Sequence, residues 1–100
     1  MIFLSDDFML EQIDGDRRFL YVESVDAHRA RKLLLRDGFV SAVRDEGVAR
    51  EISQVLGFEV RAAREVQRFV AGDTVVVFRR VPASEGPGNL NYRFYVVKIG

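Results

Sequence analysis

Apolar residues recur along this chain in two rhythms, short unbroken runs that suit buried strands and three-and-four spacings that suit helices packed on one side. Ile2, Phe3 and Leu4 form the first run and predict an opening strand. Phe8, Met9, Leu10 and Ile13, following Asp6 and Asp7, supply one helical turn or two. Asp14, Gly15 and Asp16 then predict a turn, since Asp and Gly accept the backbone angles that turns demand. Phe19, Leu20, Tyr21 and Val22 predict a second strand.

Ala27, Ala30, Leu33 and Leu34 recur at helical spacing, with Ser24 or Asp26 as the cap that accepts orphan amide hydrogens and Gly38 as the stop. Residues 39–43 are five in a row without a charge, which predicts a strand inside the sheet rather than at its edge. Asp45 or Glu46 opens the next helix, whose stripe is Val48, Ile52, Val55 and Leu56, and Gly57 ends it. Residues 65–70 are a weaker strand candidate. The turn Ala71-Gly72-Asp73 leads into residues 74–78, where three valines precede Phe78 and the strand signal is strongest. After a Pro- and Gly-rich loop at residues 82–88, residues 92–99 predict a closing strand, Tyr92, Phe94 and Val96 alternating with Arg93, Tyr95 and Val97. The expected fold class is α/β (α+β). One domain over residues 1–100 carries a mixed sheet of five to six strands, with two to three helices packed on it.

Composition narrows the function classes. One hundred residues can close one core, although a domain this small is often helped by dimerisation. Fifteen basic and fifteen acidic residues balance, so no global field gathers nucleic acid, and local sites must do so if anything does. With no cysteine there is neither disulfide nor thiolate metal site, and one histidine, His28, leaves little for an imidazole centre. The N-terminus lacks the basic start and long apolar run of a signal peptide, and no run reaches the roughly 18 residues of a membrane span. A cytoplasmic protein that does not enter membranes is expected.

Candidate chemistry gathers where residues 39–43 hand over to a helix, bringing Ser41, Arg44, Asp45 and Glu46 to a helix start. Acids there are also explained by the helix dipole alone, at about 0.3–1 kcal/mol each. His28 has no neighbour that completes a base pair or ligand set. Arg29, Arg31, Lys32 and Arg36 form what is most often a solvated helix face, and no aromatic platform accompanies them in sequence. Arg79 and Arg80 flank the Gly/Pro loop, a common location for binding residues. There is no Walker, dinucleotide or Ser-His-Asp pattern.

Residues 39–43, Glu46 with Ala49, Leu56-Gly57, Arg64, Gly72-Asp73, residues 75–78, Arg80-Val81-Pro82 and Glu85-Gly86 together resemble the type III anti-CRISPR ring nucleases, small viral and prophage α/β proteins. Phe3-Leu4 and residues 8–13 match more loosely, so the resemblance covers most of the chain. It implies a two-fold homodimer whose interface cups cyclic oligoadenylate, the second messenger of type III CRISPR complexes. It also implies metal-independent ring opening, in which a ribose 2′-hydroxyl attacks its own 3′-phosphate, with no cofactor. Carried over by position, Arg64, Arg80 and Glu85 face the ligand, and Ser41 helps orient a phosphate at the helix start. Asp6, Met9 and Glu11 stand where the family carries neutral polar residues that touch the ligand. Asp45 stands at the family's general-acid histidine and Arg44 at the small residue before it. A carboxylate is ionised at neutral pH and does not donate a proton as imidazolium does, while Arg44 offers charge stabilisation in its place. The segment before the last strand is also shorter than the family's, without its helix. The expectation is a binder of cyclic oligoadenylate, the tetra-adenylate in the first place, acting as a sponge or slow ring nuclease. The alternative is a non-enzymatic dimeric module for nucleic acid or a host protein.

Overall fold

The computed structural model describes residues 1–15, 19–82 and 90–100. Strand β1 (Ile2–Ser5) pairs in parallel on both sides, with β3 (Val40–Ser41) and with β4 (Thr74–Pro82). β4 runs antiparallel to β5 (Leu90–Ile99), and β5 antiparallel to β2 (Leu20–Val25). The result is a five-stranded mixed sheet in the order β2-β5-β4-β1-β3. Val75, Val76 and Val77 of β4 are buried on both faces, which is why that strand shows an unbroken apolar run rather than alternation.

One face is covered by α1 (Ala27–Asp37) and α2 (Glu46–Leu56). Ala30 and Leu34 of α1, and Ala49, Ile52 and Leu56 of α2, pack on Leu4, Val76, Phe78, Phe94 and Val96. The two open choices of cap resolve to Asp26, whose carboxylate accepts the Arg29 N–H (2.8 Å), and Asp45, which accepts the Val48 N–H (3.0 Å). Ser24 is withdrawn from capping because it lies within β2. Gly57 ends α2 at φ +80°, the left-handed conformation in which a side chain is strained.

The opposite face buries Phe3, Val75, Val77, Val97 and Ile99 beneath Ile13 and Phe69. Phe69 is fully buried, with its ring 4.9 Å from Phe3 edge-on and 5.8 Å from Phe8 in a stack. Its backbone is gripped by the turn that follows the short 3-10 helix Leu10–Gln12: Phe69 N–H donates to Gln12 O and Asp14 N–H to Phe69 O, both at 2.8 Å.

Two expectations change. Residues 39–43 do not form an interior strand, since only Val40 and Ser41 pair, and they do so at the edge of the sheet. Ala42 and Val43 are uncharged because they are buried by packing after the chain leaves the ladder. Residues 65–70 make a single bridge, Phe69 to Ile13, and no strand, because Val66 and Val70 are exposed and Phe69 alone enters the core. The described residues therefore hold five strands and two α-helices, with a 3-10 turn where a third helix was allowed. Among them no helix is long and apolar enough to cross a membrane.

Replacing Phe69 by Ala is expected to cost about 3–5 kcal/mol, as for a buried aromatic. Val66→Ala, on the same segment but exposed, should stay within about 0.5 kcal/mol. Urea unfolding of the two variants beside the parent measures the difference.

Candidate functional site

Because β1 is parallel to both β3 and β4, all three strands end at the same side of the sheet, where open α/β sheets form their crevices. The chain leaving β1 and the chain leaving β3 frame a cleft of about 560 Å³ there. Its charged side chains are Asp6, Asp7, Glu11 and Asp45 against Arg44 and Arg68. Arg68 is already engaged, donating from Nε to Asp14 at 2.7 Å, and that bond raises its pKa further above the ordinary guanidinium value. The cleft is thus acidic, with Arg44 as its one cation lacking a carboxylate partner among the described residues.

The acidic rim is anchored through its backbone by neighbouring side chains. Ser5, almost wholly buried at the end of β1, donates to Asp7 O (2.6 Å) and accepts the Asp7 N–H (3.2 Å). Arg79 of β4 donates to Asp6 O (2.7 Å). On the far wall Gln12 bridges two segments, accepting the Met9 N–H (2.9 Å) and donating to Gln67 O (3.1 Å). Among the described residues no group of three or more His, Cys, Asp or Glu is placed to hold a metal ion.

A second groove, of about 700 Å³, lies on the other side of Arg44, between α2 and residues 59–64. Ser53 stitches that segment to the helix by donating to Ala49 O and accepting the Val60 N–H, both at 2.8 Å. Ala63 N–H donates to Val43 O (2.5 Å) and fixes its other end. The groove collects Arg44, Arg50, Arg61 and Arg64 against Glu46 and Glu59. Arg61 pairs with Glu59 (2.8 Å), which leaves Arg44, Arg50 and Arg64 without a carboxylate partner among the described residues. The acidic cleft and the basic groove meet at Arg44.

The residues singled out in the sequence are thereby distributed. Asp6, Arg44 and Asp45 share the acidic cleft, and Arg44 and Arg64 share the basic groove. Arg80 of β4 is bonded through Nε to Glu51 of α2 and lines a separate shallow groove with Asp6, Val48, Phe78 and Arg79. Ser41 lies on β3, accepts the Val43 N–H (3.3 Å) and lines none of these three spaces. Glu85 lies outside the described residues. Asp45 spends a carboxylate oxygen as an acceptor at the start of α2. Sequence reasoning passed over Arg50 and the Arg68–Asp14 pair. Arg50 lies one helical turn beyond Glu46, a spacing that places both on one side of α2. No sequence signal links Arg68 to Asp14, 54 residues away.

No protein-family model matches the sequence, and no curated protein matches it. In three dimensions the chain is similar to B116 of Sulfolobus turreted icosahedral virus (STIV), with a TM-score of 0.77 over 97% of each chain and 15% sequence identity. At that identity the likeness shows the fold alone: a small viral protein shares this α+β architecture along nearly its whole length.

Loss of the cap bond in Asp45→Ala should cost about 1 kcal/mol, within the range of 0.5–2 measured for such caps, whereas Asp45→Asn retains an acceptor and should cost less. Thermal unfolding followed by circular dichroism separates the two.

Proposed function

We propose that the chain binds cyclic oligoadenylate, with cyclic tetra-adenylate the best fit, as a two-fold homodimer that withdraws the messenger from type III CRISPR signalling. Ring opening is slow or absent in this scheme. The observation that carries it is the convergence of Arg44, Arg50 and Arg64 on one groove with no carboxylate partners among the described residues. Their planar guanidinium forks suit phosphate oxygens.

The acidic cleft next to that groove suits the other half of such a ligand. Adenine presents an exocyclic amine that donates hydrogen bonds and a ring nitrogen that accepts them. Carboxylates of Asp6 and Glu11 and the Gln67 amide are matching partners, and the half-exposed side chain of Met9 supplies apolar surface for the base. Phosphates belong on the basic side of Arg44 and bases on the acidic side. With Asp45 acting as a hydrogen-bond acceptor, no group at this position donates a proton to the leaving oxygen, so holding the ring takes precedence over opening it. The sharing of this fold by a viral protein accords with a role in countering host defence.

A symmetric ring calls for a symmetric host, and two copies related by a dyad double the three unpaired arginines. The two-fold axis belongs at the β3 end of the sheet. The β2 edge lies four strand spacings away, about 19 Å at 4.7–4.9 Å each, too far to share these arginines. A second role, as a non-enzymatic dimeric module for a host protein, is favoured by the four carboxylates of the cleft, which repel a polyanion placed wholly inside it.

Isothermal titration with cyclic tri-, tetra- and hexa-adenylate should show micromolar or tighter binding at one ring per two chains. Arg44→Ala and Arg64→Ala should each weaken it by about tenfold or more, the worth of a charged hydrogen bond. If none of the three rings binds, the assignment fails and the second role stands. Asp45→His, followed by chromatography of linear products, should raise cleavage by about a hundredfold or more over the parent if a missing general acid is the reason for slow turnover.

A further inference from the structure

At the β2/β5 end of the molecule, away from the site above, a groove of about 330 Å³ runs between α1 and the sheet. Arg29, Lys32 and Arg36 line it from α1 at helical spacings of three and four, so they share one side of the helix. Lys98 of β5 joins them from the sheet, and Glu23 is the single carboxylate in the lining. Four cations against one acid is a local concentration, since the chain as a whole carries no net charge.

Lys32 and Lys98 have no carboxylate partner among the described residues. Arg29 and Arg36 are engaged with Glu23 (3.1 Å) and Asp37 (3.0 Å), and the Arg36 bond holds the Asp37 carboxyl below its ordinary pKa. Both pairs are solvent-exposed and contribute little to stability, so a phosphate can displace the carboxylate at small cost.

Aromatic surface borders the same groove. Lys98 is paired across the ladder from Tyr21, its ammonium 5.9 Å from the ring centroid, and Tyr21 is 59% exposed. Phe19, two residues earlier and so on the same side of the strand, is 84% exposed and has its backbone fixed to Gly100 (2.8 Å). Packing among the described residues gives no reason for a phenylalanine so exposed. A row of exposed rings beside a cationic groove is the combination by which proteins hold unpaired bases and the backbone that links them.

We propose that the α1/β5 groove and the Phe19–Tyr21 row form a binding surface for single-stranded nucleic acid. Lys32 and Lys98 contact phosphates with Arg29 and Arg36 flanking them, and bases stack on Tyr21 and Phe19. This surface is separate from the Arg44 grooves and does not depend on them.

Fluorescence anisotropy with labelled oligothymidylate and oligouridylate, and a duplex of equal length, over a salt series, tests this with the full chain. Single strands should bind more tightly than duplex, and the logarithmic salt slope should lie near −1.4 to −2.8, for two to four phosphates at about −0.7 each. The double variant Lys32→Glu/Lys98→Glu should weaken binding more than about tenfold and flatten the slope by about 1.4. Tyr21→Ala should lose about five- to a hundredfold with the slope unchanged. Arg44→Ala, which impairs the proposed messenger site, should leave binding of linear single strands intact. If circular dichroism shows the charge-reversal variant unfolded, Lys32→Gln/Lys98→Gln takes its place. The proposal is overturned if the parent binds no single strand at low salt, if duplex binds as well as single strand with Tyr21→Ala neutral, or if Arg44→Ala rather than the lysine variants abolishes binding.

Discussion

The two-sided parallel ladder of β1 is the constraint from which the rest of the molecule follows. With β3 on one side and β4 on the other, four residues set the direction of three strands and bring their ends to one place. A parallel neighbour cannot be reached by a tight turn, so β2 and α1 intervene between β1 and β3, and α2 and the long segment to residue 73 between β3 and β4. Those crossings supply the layer over one face of the sheet and the Phe69 plug over the other. Leu4 faces the helices and Phe3 the plug, so the same short strand joins the two halves of the core.

Charge is sorted around that shared end rather than spread over it. Arg44 stands at the boundary, with carboxylates from the β1 exit on one side and arginines from α2 and the following segment on the other. Such a boundary suits a ligand with chemically distinct halves better than a uniform polyanion. The second basic surface, at the other end of the sheet, has a different composition: two lysines beside two arginines, a single carboxylate and exposed rings at its border. A chain with no net charge can therefore carry two unlike cationic surfaces, because what lies within reach at short range is the local arrangement and the balance elsewhere is screened by salt.

Both helices and the three longer strands were legible in the sequence because each carries its own periodicity over enough residues to be read locally. Asp26 and Asp45 were among the expected caps for the same reason: a cap acts on amides two or three residues away. Residues 39–43 and 65–70 misled because an apolar run reports burial, and burial arises from packing as well as from a ladder. Val43 and Phe69 are core residues in segments that barely pair. At the site, the closeness of Arg44 to Asp45 was visible in one dimension. The separation of Arg80 from Arg64 was not, because it depends on Glu51 of α2 reaching across to β4.

By itself, then, the sequence determined the class of fold, the glycine stops of both helices and the strand-to-helix junction that carries Arg44 and Asp45, since all of these arise from patterns within a few residues. Tertiary structure alone decided the strand order, the edge position of β3, the pairing of Arg68 with Asp14 and the meeting of Lys98 and Tyr21 with the basic side of α1. These depend on contacts between residues far apart in the chain, whose partners are chosen by how two layers of side chains close over one sheet and leave no local trace in the order of residues.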